Sequence, residues 1–144
     1  MGIRLVYLFL IVLLPLTSSV AECNLEVSFI KGSNEESQKD SFSEDIFNQL
    51  KHLPFSSFKL LKKETSQIEL GQEINFKFYD DTHNVSFMPT NLTSDKVHAM
   101  LRWVEQSDTN LINTKMWFEK NKSIVFGSQT GKKCKIINVN ISCQ

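Results

Sequence analysis

The sequence predicts an α+β protein, built as an antiparallel-dominated sheet or a two-sheet sandwich with one short amphipathic helix near the N-terminus. Three observations carry this expectation. Ile74, Phe76 and Phe78 alternate with Asn75, Lys77 and Tyr79, and similar two-residue alternation recurs through most of the chain. Ile46, Phe47, Leu50 and Leu53 instead follow helical spacing. Turn-forming clusters separate the alternating runs.

Taken in order, the chain opens with Arg4, an uninterrupted apolar run over residues 5–14, a break at Pro15 and the small residues Ser19-Val20-Ala21. That order is the pattern of a cleaved secretory signal. The apolar run is too short to cross a bilayer, which takes ~20 residues of helix. Residues 1–21 are therefore expected to be removed, leaving 22–144 as a single β-rich α+β domain. No second long apolar segment follows, so no integral membrane span is expected after cleavage, and the expected location is periplasmic or secreted. Glu22 stands directly before Cys23, where lipid attachment would need a small residue.

Residues 25–30 alternate as a half-buried strand, and residues 32–40 are polar and read as a loop. Two caps are available for the helix that follows. Ser41 could cap with Glu44 closing the box, or Ser43 could cap with Phe42 stapling onto Phe47. Pro54 ends the helical pattern after about three turns. Phe58 and Leu60, then Ile68 and Leu70, restore the period of two before a turn at Gly71-Gln72. Residues 74–79 form a strand, residues 80–84 a polar turn, and Val85 and Phe87 the next strand. Residues 89–95 read as a loop. Val97, Ala99, Leu101 and Trp103 share one strand face, as do Ile112, Thr114, Met116 and Phe118. A hairpin at residues 119–122 leads to Ile124 and Phe126, residues 127–131 read as a loop, and residues 136–141 form the last strand. If the first strand pairs with residues 58–62, the intervening helix makes a right-handed crossover and the pair is parallel.

The three cysteines, Cys23, Cys134 and Cys143, allow one disulfide and one spare thiol. Cys23 shares a face with Leu25, Val27 and Phe29, and Cys143 with Ile137, Val139 and Ile141, while Cys134 points the other way. Antiparallel end strands would join Cys23 to Cys143; a parallel arrangement or a bulge would favour Cys23 with Cys134.

Sixteen basic and sixteen acidic residues leave no net charge, which argues against a nucleic-acid partner. None of the histidines, His52, His83 and His98, stands in a metal-binding motif. Asp80, Asp81 and His83 form the best local polar cluster, but residues of this kind in a hairpin turn serve the backbone and face solvent. The sequence identifies no catalytic residue, metal ligand or cofactor. Trp103 shares parity with Leu101 and reads as core. Trp117 and Tyr79 fall opposite their core-facing neighbours, and both are candidate partner-binding residues.

Leu25-Glu26-Val27, residues 53–61 (LPFSSFKLL), Leu70-Gly71-Gln72, and Leu111-Ile112-Asn113-Thr114 running into Val125-Phe126-Gly127 resemble a group of small, uncharacterised exported bacterial proteins of the periplasm and envelope. The last stretch is also similar to the Gly-rich strand ends of outer-membrane secretins. It departs from them at Ser128, which stands in place of the second glycine, and in lacking a pore-forming domain. The resemblance implies an envelope-associated role and carries no catalytic residue. The expected function is that of an exported, non-enzymatic binding or envelope-assembly accessory protein with a protein partner in the envelope or extracellular space. The alternatives are a small secreted metal-dependent hydrolase using the Asp80/Asp81/His83 region, or a purely structural secreted domain.

Overall fold

The computed structural model describes residues 22–34, 40–79, 81–106, 109–130 and 133–143. The expected signal segment and Asp80 lie outside the described residues. Eight strands and one helix follow in the order β1 (Cys23–Ser33), α1 (Glu44–Leu50), β2 (Ser57–Gln67), β3 (Ile74–Phe78), β4 (His83–Leu92), β5 (Lys96–Glu105), β6 (Thr109–Glu119), β7 (Ser123–Thr130) and β8 (Lys133–Cys143). They form two four-stranded sheets, β2-β1-β8-β7 and β3-β4-β5-β6, in which every neighbouring pair is antiparallel. The fold is thus α+β, a two-sheet sandwich with one short helix.

Alternation decides which side chains meet between the sheets. Leu25, Val27 and Phe29 of β1 and Ile137, Val139 and Ile141 of β8 face Phe76, Phe78, Val85, Phe87, Val97, Leu101, Trp103 and Phe118 of the other sheet. Side chains of opposite parity in the first sheet, Ile30, Cys134 and Ile136, lie under α1 and its flanks, where Leu50, Phe42, Ile46 and Leu53 cover them. β1 and β8 are therefore buried on both faces under the helix, where the alternation gives way to the adjacent apolar pairs Phe29-Ile30 and Ile136-Ile137. Gly32 makes that close approach possible: a side chain there would meet the Phe58 ring at 3.2 Å.

Four expectations need correction. β1 and β2 pair antiparallel, from Asn24↔Gln67 to Ser33↔Ser57, rather than through a parallel crossover. The seven residues of α1 advance only about 10 Å, against roughly 36 Å for an 11-residue strand, so the helix itself does not return the chain along the sheet, and β2 starts at Ser57 beside Ser33, where β1 ends. The helix is also shorter than the apolar spacing suggests. Ser43, the second of the two candidate caps, takes the N–H of Ile46 at 3.4 Å, and the helix stops at Lys51, ahead of Leu53 and Pro54. Residues 89–92 belong to β4, where Pro89 is accommodated next to a register shift between Pro89 and Asn91. Gly127 to Thr130 likewise continue β7 rather than forming a loop, paired with residues 133–136 of β8.

Cys23 and Cys143 stand directly opposite each other in the β1–β8 register, with Cα atoms 4.1 Å apart, and are joined by a disulfide. The bond closes a sequence separation of 120 residues. Cys134 is a buried free thiol in the layer under the helix, and burial raises its pKa.

On the chain-entropy account, a loop of this length makes the disulfide worth about 4–5 kcal/mol. Paired Cys23→Ser and Cys143→Ser substitutions are expected to lower unfolding stability in urea by several kcal/mol, whereas Cys134→Ser should leave the linkage intact in non-reducing peptide mapping. A linked peptide containing Cys134 would contradict the assignment.

Candidate functional site

Two regions gather the residues that the sequence singles out. The first lies at the end of the sandwich where the β3–β4 turn meets β5 and β8. Thr82 N–H closes that turn on the Tyr79 carbonyl at 3.0 Å, which brings His83 into register with Phe78 as the first rung of the hairpin. His83 is consequently 1% exposed. This corrects its placement in a solvent-facing turn: the turn is tighter than the run of polar residues suggests.

The indole Nε1–H of the fully buried Trp103 donates to His83 Nδ1 at 3.0 Å. An indole can only donate, so Nδ1 is the accepting nitrogen and the neutral ring carries its proton on Nε2. Nε2 faces Lys135 Nζ at 3.1 Å, and the Glu105 carboxylate lies 3.8 Å from both groups. Glu105 thus balances two convergent donors from the solvent side. Burial, followed by the Lys135 charge, holds the His83 pKa below its ordinary value, with Glu105 opposing.

Tyr79 leaves the strand alternation because its backbone is left-handed, at φ 54°. Its ring turns back against Phe78 and His83, with centroids 5.0 and 5.2 Å away, and Lys135 Nζ sits 5.2 Å from its centroid. Burial, above all, pushes the phenol up to about 12. Beside it a cleft of about 560 Å³ opens between β2 and β3, bordered by Leu61, Lys62, Lys77 and Asp81. Lys62 is engaged there, 2.5 Å from Glu64 and 3.2 Å from the Lys77 carbonyl.

Asp81 is exposed, with φ 64°, so the structure does not draw it into the His83 cluster. Both His83 nitrogens face donors, leaving neither open to a cation in this arrangement. Among the described residues, no group of three or more His, Cys, Asp or Glu could hold a metal ion.

The second region is the outer face and free edge of the β3-β4-β5-β6 sheet. Trp117 of β6 points away from the core side chains Met116 and Phe118 and is 44% exposed. Its ring packs against His98 at 4.9 Å, and His98 Nδ1 is 2.7 Å from Thr90 Oγ1. Three strands therefore hold the tryptophan in place. Met88 and Met100, paired across β4 and β5, are half-buried on the same face.

Of the four sheet edges, three are closed or blunted. The β7 edge is covered by α1: Asp45 accepts the Ser123 N–H at 2.7 Å, and the Gln49 amide takes both Ser123 O at 2.7 Å and Val125 N–H at 2.9 Å. A single side-chain amide thereby stands in for a neighbouring strand. β3 is only five residues long. β2 carries Lys59, Lys62 and Lys63 and pairs with β1 through a register shift, both of which discourage edge-to-edge association. β6 is an 11-residue edge strand with neither proline nor glycine.

Sequence reading reaches Trp117, Tyr79 and His83 but misses Glu105, Lys135, His98 and the edge-capping pair Asp45 and Gln49. These come together only through strand register and helix placement. No family model, no curated protein and no solved structure matches this chain.

His83 yields a pH prediction. Its folded-state pKa is depressed, so the contribution to stability is complete above the unfolded value of 6.5 and falls as pH drops through that value toward the folded one. Urea unfolding at pH 7.5 and pH 5 should show a larger acid loss for the native chain than for His83→Gln. Equal losses would remove His83 as the cause.

Proposed function

We propose that this chain is an exported, non-enzymatic binding domain of the periplasm or envelope that contacts a protein partner through the edge of β6 and the outer sheet face around Trp117. The observation that carries the reading is an exposed tryptophan, braced by His98 and Thr90, on a long edge strand that carries a single lysine and is uncovered among the described residues. A preset aromatic loses little conformational freedom on binding and buries a large area. An open strand edge offers backbone hydrogen bonds to an added strand, and neighbouring methionines adapt to varied shapes.

Export is supported by the signal pattern over residues 1–21 and by the Cys23–Cys143 bond, which suits an oxidising compartment. The buried end of the sandwich favours a structural role for His83, whose Nδ1 accepts from the Trp103 indole and whose Nε2 is screened by Lys135 and Glu105.

A photo-reactive amino acid in place of Trp117, expressed in the native compartment, is expected to give a discrete protein adduct on irradiation. The same residue in place of Lys77, on the far edge of the same sheet, should give none. Absence of an adduct at position 117, or an identical adduct from position 77, would overturn the reading.

A further inference from the structure

We propose that the chain β6 receives is the β6 of a second copy of this protein, the two strands running antiparallel about a two-fold axis at Trp117. The two four-stranded sheets then join into one of eight. This rests on the reading of β6 as the contact edge and names its partner.

The hydrogen-bond pattern shows which backbone groups are available. Lys120 N–H donates to Asp95 O at 2.9 Å, one rung beyond the Lys96↔Glu119 pair. Hydrogen-bonded rungs alternate in an antiparallel ladder, so they recur at Val97↔Phe118 and Ala99↔Met116. The residues between them, Lys115, Trp117 and Glu119, turn their N–H and C=O groups to the free edge. The register shift in the β5–β6 pair lies at the other end, between Trp103 and Val104, so this stretch of β6 stays regular.

Charge selects the register. Lys115 and Glu119 stand two residues to either side of Trp117, and both are exposed. A two-fold axis through Trp117 sets each Lys115 opposite the partner's Glu119, twice, with the two tryptophans facing each other between them. This is the self-complementarity that an isologous interface requires. Moving the axis two residues back, to Lys115, would place that lysine against its own copy, and like charges directly opposite are destabilising. The Trp117 axis is the only two-fold register that pairs Lys115 with Glu119. Glu119 Oε2 accepts from Lys122 within the chain, at the strand end, and Oε1 is the oxygen offered to the second copy.

The test is sedimentation equilibrium of the oxidised protein across a wide concentration range. The native chain is expected to show a monomer–dimer equilibrium. Lys115→Glu replaces two attractive pairs with two repulsive ones and should weaken dimerisation about tenfold or more. The charge-exchanged Lys115→Glu/Glu119→Lys double variant should recover it, with thermal unfolding of each variant reporting that the fold is retained. As an independent variant, Trp117→Cys should form an interchain disulfide at position 117 on oxidation.

A monomer at all concentrations, together with a persisting photo-adduct from position 117 to a different protein, would overturn this inference and leave the contact-edge reading standing. A monomer with no adduct would overturn both. A dimer indifferent to Lys115→Glu, or a double variant that stays dissociated while folded, would also overturn the proposal by placing the interface elsewhere.

Discussion

The pairing of β1 with β8 is the constraint on which the rest of this structure depends. It runs from Cys23↔Cys143 to Gly32↔Cys134 and brings together segments from opposite ends of the described chain. These two strands form the middle of their sheet: β2 pairs with β1 and β7 with β8, so the β1–β8 ladder is what joins the two halves into one sheet. They are also the strands buried on both faces, against the second sheet on one side and under the helix on the other. Contacts so distant in sequence cost loop-closure entropy before they return any stabilisation. The disulfide at the end of the ladder reduces that cost by restricting the unfolded chain.

The helix belongs to the same logic. Alone, a two-turn helix would be unstable in water. Here it is held by Leu50 and its apolar neighbours over Ile30 and Ile136, and by Asp45 and Gln49 along β7. One short element thus screens an apolar face and closes a sheet edge. Among the described residues the other sheet has no such cover, which leaves its outer face and β6 open to association.

Much of the architecture was legible because alternation is a local property. The opposite parities of Cys134 and Cys143, the core position of Trp103 and the outward position of Trp117 each followed from counting residues along a strand. What was not legible depended on register and on single backbone dihedrals. The run of polar residues at 80–84 reads as a turn exposing His83, yet closure of Thr82 on Tyr79 starts the next strand two residues earlier than the apolar pattern does. Tyr79 obeys the alternation in sequence but not in space, because a left-handed residue breaks it. The partners of His83 lie on β5 and β8, and no spacing within one strand could reveal them. Likewise, the role of Gln49 rests on where the helix lies along the β7 edge.

The parity of Cys134 carries a consequence for how the chain matures. In an oxidising compartment three thiols offer three possible bonds, and chemistry alone does not choose among them. The finished ladder does: Cys23 and Cys143 meet on one side of the sheet, while Cys134 is carried to the other, beneath the helix. Cys134 stands opposite Gly32, nine residues from Cys143 along β8 and from the level of Cys23 along β1, roughly 30 Å of extended chain, so a bond to either would break the ladder that holds Ile137, Val139 and Ile141 in the core. Strand register thus selects Cys23 with Cys143, and burial beneath the helix holds the surplus thiol away from the completed bond.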